Sequence, residues 1–284
     1  MRVLITGGSG GLAVALVREL KKEHEVLALP HSELDVTSKL SIDKVFEQSQ
    51  IDLVLHCAAI VNADYAENHK ELAYHVNVEG TQNIAEACRK NHSKLVFFSS
   101  DYVFSGDKEA AYDEDDLVYP VNYYGITKIL GEEIVRNILD THYIVRIQWL
   151  FGETGNTFFH KILDRKNEAF LNVVNDQRGC PTYTMDLAKA VGQLIQHNHY
   201  GIYHLSGEGT CTWAEYAREI IALSQGHGEI VEVSSNQYAT SAKRPKNSVL
   251  SKEKAYSCGI DRLPDWRDAL SRCYFNMHER MICQ

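Results

Sequence analysis

A glycine cluster, Gly7-Gly8-Ser9-Gly10-Gly11, lies between a short apolar run and an amphipathic stretch at the start of the chain, and no other feature restricts the fold as much. Residues 2–6 read as a strand. Residues 12–22 read as a helix, with Leu12, Leu16 and Leu20 four apart on one face. Glycines between them let the backbone turn sharply and approach a bound group closely. A strand that turns on glycines straight into a helix offers the helix's first amides and its dipole to an anion such as a pyrophosphate. The spacing Gly7-xx-Gly10-xx-Ala13 also puts a small residue where helix and strand must pass close together. An ordinary glycine turn would account for the run but not for its place between strand and helix.

The pattern repeats. Residues 25–29, 52–56, 94–99 and 143–147 read as further strands, and 38–47, 72–89 and 124–139 as helices. Such alternation forces parallel pairing with helices on both faces. The expected fold is therefore α/β, a Rossmann-type doubly wound parallel sheet that binds ligands at the carboxyl ends of its strands. The 284 residues suffice for a dinucleotide-binding domain, 1–152, completed by about 173–205. After Gly152 the rhythm changes, and 153–172 with 206–284 read as a smaller, mostly helical substrate domain that includes a helix over 213–224. The acidic, turn-rich stretch 106–119 reads as a loop near the site.

Composition narrows the partners. A formal net charge of −9 argues against a nucleic-acid partner, although a local amide-lined pocket still accommodates an anionic ligand. The opening apolar run is too short for a signal peptide or a membrane span, so a cytoplasmic protein with no membrane partner is expected. The seven cysteines, Cys57, Cys88, Cys180, Cys211, Cys258, Cys273 and Cys283, are odd in number and contain no CxxC, which reads as reduced thiols. The 13 histidines form no HxxxH pair with a nearby acid, so no metal is expected.

The tip of the second strand, Pro30-His31-Ser32, bears on the cofactor. An acid there would bond ribose hydroxyls, whereas His31 and Ser32 tolerate a 2′-phosphate, so NADP(H) is preferred over NAD(H), with NAD(H) still accommodated. Asp35 and Val36 can frame the adenine, and Asp35 can equally cap the following helix. Cys57-Ala58-Ala59 ends the third strand with small residues against which a dinucleotide can lie. Close packing explains them equally well.

Tyr124 and Lys128 stand at i and i+4, one face of a helix. A lysine cation and a positive nicotinamide ring favour the phenolate of a tyrosine, and a tyrosine so tuned can protonate a carbonyl oxygen as hydride arrives at carbon. Lys128 would also hold the nicotinamide ribose. The chain has 15 tyrosines, so the spacing alone is weak evidence; its place after a fourth strand and a long loop strengthens it. Of the pair Ser99-Ser100 closing that strand, strand alternation selects one to face the site, and Ser100 is the choice.

These residues resemble the extended short-chain dehydrogenase/reductase family, and within it the branch that reduces keto-sugars carried on dTDP. The resemblance spans nearly the whole chain, through Ser99-Ser100-Asp101-Tyr102-Val103-Phe104, the helix Tyr124 to Glu132, Arg146 to Gly152, Asp176 to Thr182, Thr212-Trp213, Arg244 to Ser248 and Leu263 to Trp266. It implies that Gly10, Gly11 and Leu12 hold the pyrophosphate, that Asp35 and Val36 lie at the adenine, and that Ala59, Ile60 and Val61 line the cofactor with Phe98 nearby. It implies that Ser100, Asp101 and Tyr102 contact the sugar, with Ser100 tuning Tyr124. Trp149 would pack on the sugar or the base, and Arg244 would clamp the nucleotide diphosphate. The chain departs from the family at Ala13, at Ile60-Val61 and at Ile147-Gln148. Ala15 replaces the acid through which some members hold magnesium at a dimer contact, so that metal is not expected. The implied reaction is NADPH-dependent reduction of the C4 ketone of a dTDP-linked deoxy-sugar, giving dTDP-L-rhamnose or a close relative, by an enzyme expected to act as a homodimer.

Two other readings remain. A sugar-nucleotide epimerase or dehydratase shares the fold, but dehydratases place Asp-Glu after the hydroxyl residue, and here Asp101 is followed by Tyr102. A non-catalytic cofactor-binding regulatory subunit is the other. It would have no need to keep Ser100, Tyr124 and Lys128 together.

Overall fold

The computed structural model describes residues 1–282, and Cys283 lies outside them. The chain begins β1 (Arg2–Thr6), α1 (Gly11–Leu20), β2 (Glu25–Leu29), α2 (Lys39–Gln48) and β3 (Leu53–His56). Two short helices, α3 (Ala63–Asn68) and α4 (Lys70–Tyr74), lead through a π-helical turn (His75–Glu79) into α5 (Gly80–Lys90). Then come β4 (Lys94–Ser100), α6 (Tyr123–Ile138) and β5 (His142–Ile147). The remainder comprises β6 (Leu150–Phe151), α7 (Phe158–Asp164), β7 (Phe170–Val174), β8 (Arg178–Gly179), β9 (Thr182–Tyr183), α8 (Thr184–Leu194) and β10 (Gly201–His204). It closes with β11 (Cys211–Thr212), α9 (Trp213–Leu223), β12 (Glu229–Val233), α10 (Glu253–Ser257) and α11 (Trp266–Ile282).

Six strands form one sheet in the order β10-β5-β4-β3-β1-β2, every pair parallel. Period-two alternation sorts their side chains onto two faces. Val3, Ile5, Leu55, Val96 and Phe98 join α1 and α8 in one core. Leu4, Val54, Leu95, Phe97 and Ile144 join α2, α5 and α6 in the other. The strand order reverses at β1, with β2 on one side and β3 on the other, so a crevice opens between the ends of β1 and β3.

The expected helix over 72–89 is interrupted. A π turn inserts an extra residue there, which carries Asn77 inward, and α3, unanticipated, precedes it. Beyond β5, a third core gathers Phe151, Phe159, Tyr216, Trp266 and Leu270. Three two-stranded ladders, β6–β9, β7–β12 and β8–β11, accompany its helices. The expectation of a mostly helical region there overlooked them: the two-residue strands of β6–β9 and β8–β11 are too short to show periodicity, and the five-residue β7 and β12 were not read as strands.

Helix α6 is fixed at its N-terminus from three directions. Asn122 Oδ1 accepts from the Gly125 amide (2.9 Å) while its Nδ2 donates to the Lys243 carbonyl (2.8 Å), and Glu67 accepts from the Tyr123 amide (2.9 Å). Gly125 then passes directly under the segment following β4: a Cβ there would strike the Tyr102 carbonyl oxygen and lie 2.8 Å from Pro120 Cβ. Gly125→Ala is expected to cost about 2–3 kcal/mol, read as a lowered urea midpoint. An unchanged midpoint would show that this end of α6 is free to shift.

Candidate active site

The glycine turn closes the β1 end of the crevice. Gly7 adopts φ +64°, and a Cβ on it would lie 2.9 Å from Ala58 Cα; one on Gly8 would lie 2.7 Å from the Ala28 carbonyl carbon. The loop is thus pressed against the ends of β2 and β3. Gly11 has a packing reason of its own, since a Cβ there would meet the Thr154 carbonyl oxygen at 3.0 Å. No side chain caps α1 at Gly10, and no acid lies in its first turn, so nothing there opposes an anion at its leading amides. Ala13 is fully buried. Leu12 packs on the core beneath the loop, so at Leu12 only the backbone can face a pyrophosphate.

Across the crevice, Cys57, Ala58 and Ala59 are half-buried, and Val61 is exposed. Thr6 Oγ1 accepts from the Ala58 amide (3.1 Å) and bonds His56 Nδ1 (2.8 Å). Burial pushes His56 down to about 3, with help from the Lys128 charge, so the ring is neutral. Asn77 joins this strand end to α6: its Oδ1 accepts from the Ile60 amide (2.7 Å), and its Nδ2 donates to the Ile60 carbonyl and to Thr127 Oγ1 (both 3.0 Å). Sequence reasoning missed Asn77, because its inward placement depends on the π turn.

The β2 tip places His31 and Ser32 in solvent. Asp35 accepts from Thr37 through both its amide (2.9 Å) and its hydroxyl (2.7 Å), contacts that hold its carboxyl below the usual range, with the more distant His31 and His75 adding to them. The cap of α2 is Ser38, not Asp35. Val36 is buried against Gly80, and Phe98 is buried in the core beneath the site, so neither side chain is free to spread over an adenine or a nicotinamide.

At the end of β4 the two serines part. Ser99 Oγ donates to Glu132 on α6, and Ser100 Oγ donates to Asp101 Oδ1 (2.9 Å). Ser100 also lies within hydrogen-bonding reach of the Tyr124 phenol. Tyr124 is buried, and burial pushes its phenol above the ordinary value, opposed by Ser100 and reinforced by Asp101 and Tyr102. In the protein by itself desolvation prevails, and the phenol stays protonated; the expected help to the phenolate came from Lys128 together with a positive nicotinamide ring. Lys128 is also buried, its Nζ 4.5 Å from the Phe97 ring centroid, and burial pulls it down to about 8 against the opposing Glu132 carboxylate. Asp101 is pushed up to about 7 by burial, with Ser248 and Ser100 opposing. Its Oδ2 has no well-directed hydrogen bond among the described residues. Tyr102 meets the Tyr124 ring edge-on, with centroids 5.9 Å apart.

Two residues expected at the substrate are otherwise engaged. Trp149, at φ +44°, stacks on Trp213 with centroids 3.5 Å apart and planes within 9°, and Gly179 lies against the same indole. A sugar or base would therefore meet a two-tryptophan stack or displace Trp213. Arg244 pairs with Asp64 of α3 (2.6 Å) and donates to the Ala242 carbonyl (3.0 Å), so it is not a free cation. Among the described residues no cluster of three or more metal-ligating side chains occurs, and no helix is long and apolar enough to cross a membrane.

The chain matches the family described as RmlD substrate binding domain over residues 1–279. It is 37% identical to a dTDP-4-dehydrorhamnose reductase of Aggregatibacter actinomycetemcomitans, covering 95% of this chain and 97% of that one. It is also 37% identical to the spore coat polysaccharide biosynthesis protein SpsK of Bacillus subtilis (strain 168), covering 95% of each. The crystal structure of dTDP-4-dehydrorhamnose reductase from Bacillus anthracis str. Ames in complex with NADP superposes with a TM-score of 0.94 at 35% identity, over 97% of this chain and 99% of that one.

Asp101 carries a testable linkage. Its folded pKa lies above its unfolded value, so the stability it contributes is full below about pH 4 and is lost as pH rises towards 7. Asp101→Asn removes the titration. The variant's thermal midpoint, measured against the parent, is expected to gain between pH 4 and 7 and to hold its lead above 7. A difference that does not change with pH would overturn this.

Proposed function

The chain belongs to the RmlD substrate binding domain family, and from that premise we propose that it reduces the C4 ketone of dTDP-4-dehydro-L-rhamnose to dTDP-L-rhamnose with NADPH, in the supply of precursors for cell-surface polysaccharide. The observation that carries the reading is the burial of Tyr124 and Lys128 on one face of α6, with Ser100 buried at the carboxyl end of β4, on the same edge of the sheet as the Gly7 turn.

The glycine turn, with the uncapped first amides of α1, suits a pyrophosphate, and the small residues 57–59 leave room for a dinucleotide along β3. Exposed His31 and Ser32 accommodate a 2′-phosphate. NADPH bound there supplies the hydride. Reduction of a ketone also needs a proton at oxygen, and a phenol kept protonated by burial is the right form to give one. Tyr124 donates from Oη to the carbonyl oxygen, and Ser100 orients that oxygen. Lys128 offers a cation to steady the developing phenolate and the ribose hydroxyls. Asp101 and Tyr102 line the sugar side of Tyr124. Arg244 reaches a diphosphate once it exchanges Asp64 for it.

Tyr124→Phe is expected to lower kcat at least ~100-fold, measured as NADPH oxidation with the dTDP-linked 4-keto sugar, while NADPH affinity stays near the parent's. Near-normal turnover would remove Tyr124 from the mechanism. In the same assay NADPH is expected to outperform NADH. The reading extends to a homodimer in the cytoplasm, supported by Ile126 and Leu130, exposed at 40% and 37% on α6. Sedimentation that returned a monomer at micromolar concentration would overturn the dimer.

A further inference from the structure

Lys128 is a buried cation with no ion pair of its own among the described residues. Its Nζ rests over the Phe97 ring. One turn further along the same face of α6 is Glu132, equally buried, whose two oxygens are both taken from the far side. Arg146 Nε donates to Oε1 (2.9 Å), Arg146 Nη2 donates to Oε2 (2.8 Å), and Ser99 Oγ adds a second bond to Oε1. Arg146 is held in turn by the Glu114 carbonyl, and it sits opposite Ser99 in the β4–β5 register. The carboxylate is thus drawn towards the sheet, one turn from the ammonium, with its charge acting across a dry interior where charges are weakly screened.

The other titratable groups around Lys128 are neutral or paired with other cations, apart from Asp101, which burial pushes up to about 7. From the β3 end, His56 has lost its proton, and burial pushes the Cys57 thiol up. Across the site, the Tyr124 and Tyr102 phenols are held protonated by burial, and Asp101 lies on their side. From α3, Asp64 is paired with Arg244, and Glu67 with Lys70 and the Tyr123 amide. His204 of β10, beyond Arg146, is neutral as well. Glu132 is therefore the standing negative charge that favours the lysine's protonated form.

We propose that Glu132, clamped by Arg146 and Ser99, is a positioning residue that keeps Lys128 cationic at the reaction centre while being restrained from pairing with it. The inference rests on the carbonyl-reductase reading above. The clamp separates two demands: a free Glu132 would draw Nζ into a direct ion pair, away from Tyr124 and the ribose, whereas a neutral residue there would let the buried ammonium lose its proton. The arginine's part is to satisfy the carboxylate without spending the lysine.

The test uses the full-length enzyme and two readouts across pH 6 to 9.5: kcat/KM for NADPH oxidation with the dTDP-linked 4-keto sugar, and NADPH affinity by fluorescence titration without sugar. In Glu132→Gln the alkaline limb of both profiles is expected to move down by about one pH unit or more, so that the variant falls furthest behind the parent above pH 8. That change strands Arg146 as a buried unpaired cation, so the double variant Glu132→Gln/Arg146→Met is measured beside it. Neutral replacement of a buried ion pair is often tolerated by the fold. The same downward shift in the folded double variant supports the proposal. A uniform loss at every pH, with the limb unmoved, assigns Glu132 a packing role only and overturns it. If the parent oxidises NADPH with no nucleotide-linked keto-sugar, the functional reading fails, and the affinity profile still decides the role of Glu132.

Discussion

The packing of α6 on β4 and β5 is the interaction on which the site depends. A helix against the centre of a parallel sheet is normally apolar on its inner face. This one carries Tyr124, Lys128 and Glu132 at four-residue intervals, all buried. Burying a phenol, an ammonium and a carboxylate together is tolerable only if their partners are fixed in advance. Phe97 cushions the lysine, Ser99 and Arg146 take the carboxylate, and Ser100 reaches the phenol. Glycines at 125 and 131 let the helix come close enough for this, since a Cβ at either would strike Tyr102 or Phe97.

From that contact the other parts take their places. The end of β3 is tied to α6 through Asn77, which bonds Ile60 on one side and Thr127 on the other. The glycine turn is pressed onto the same strand end at Ala58. The segment leading to Arg244 is held at the start of α6 by Asn122 and at α3 by Asp64. A shift of α6 along its axis would therefore disturb the crevice at each of these points. This gives a physical reason for the three anchors at its N-terminus.

Much of this architecture was legible in the sequence. Strands β1 to β5 carry period-two or continuous apolar patterns that depend on neighbouring residues alone, and their bounds were read to within one residue. The glycine turn was equally plain, because a positive φ and a close backbone approach require that residue type locally. The interrupted helix at 72–89 was not legible. A π turn leaves the residue types unchanged and alters only the phase in which they face the core, so Asn77 looked like one more polar residue on a helix. Phe98 and Val36 show a related limit: proximity to a site along the chain does not say whether a side chain faces it or the core beneath.

What the sequence determined by itself was the class of fold, the anion-binding turn and the spacing of Tyr124 and Lys128 on one helix face. These follow from dihedral preference and periodicity, which act between near neighbours. Only the tertiary structure decided the electrical state of that pair. Whether a phenol is protonated or an ammonium retained depends on how much water is removed and which charges remain. Those charges come from residues far apart in the chain: Ser99 is 33 positions from Glu132, and Glu132 is 14 from Arg146. The same holds for Arg244, a free cation by sequence, which finds Asp64 across 180 positions, and for Trp149, whose stack on Trp213 no local pattern announces. Long-range pairings set the local dielectric and the local charge, and no spacing rule along the chain encodes them.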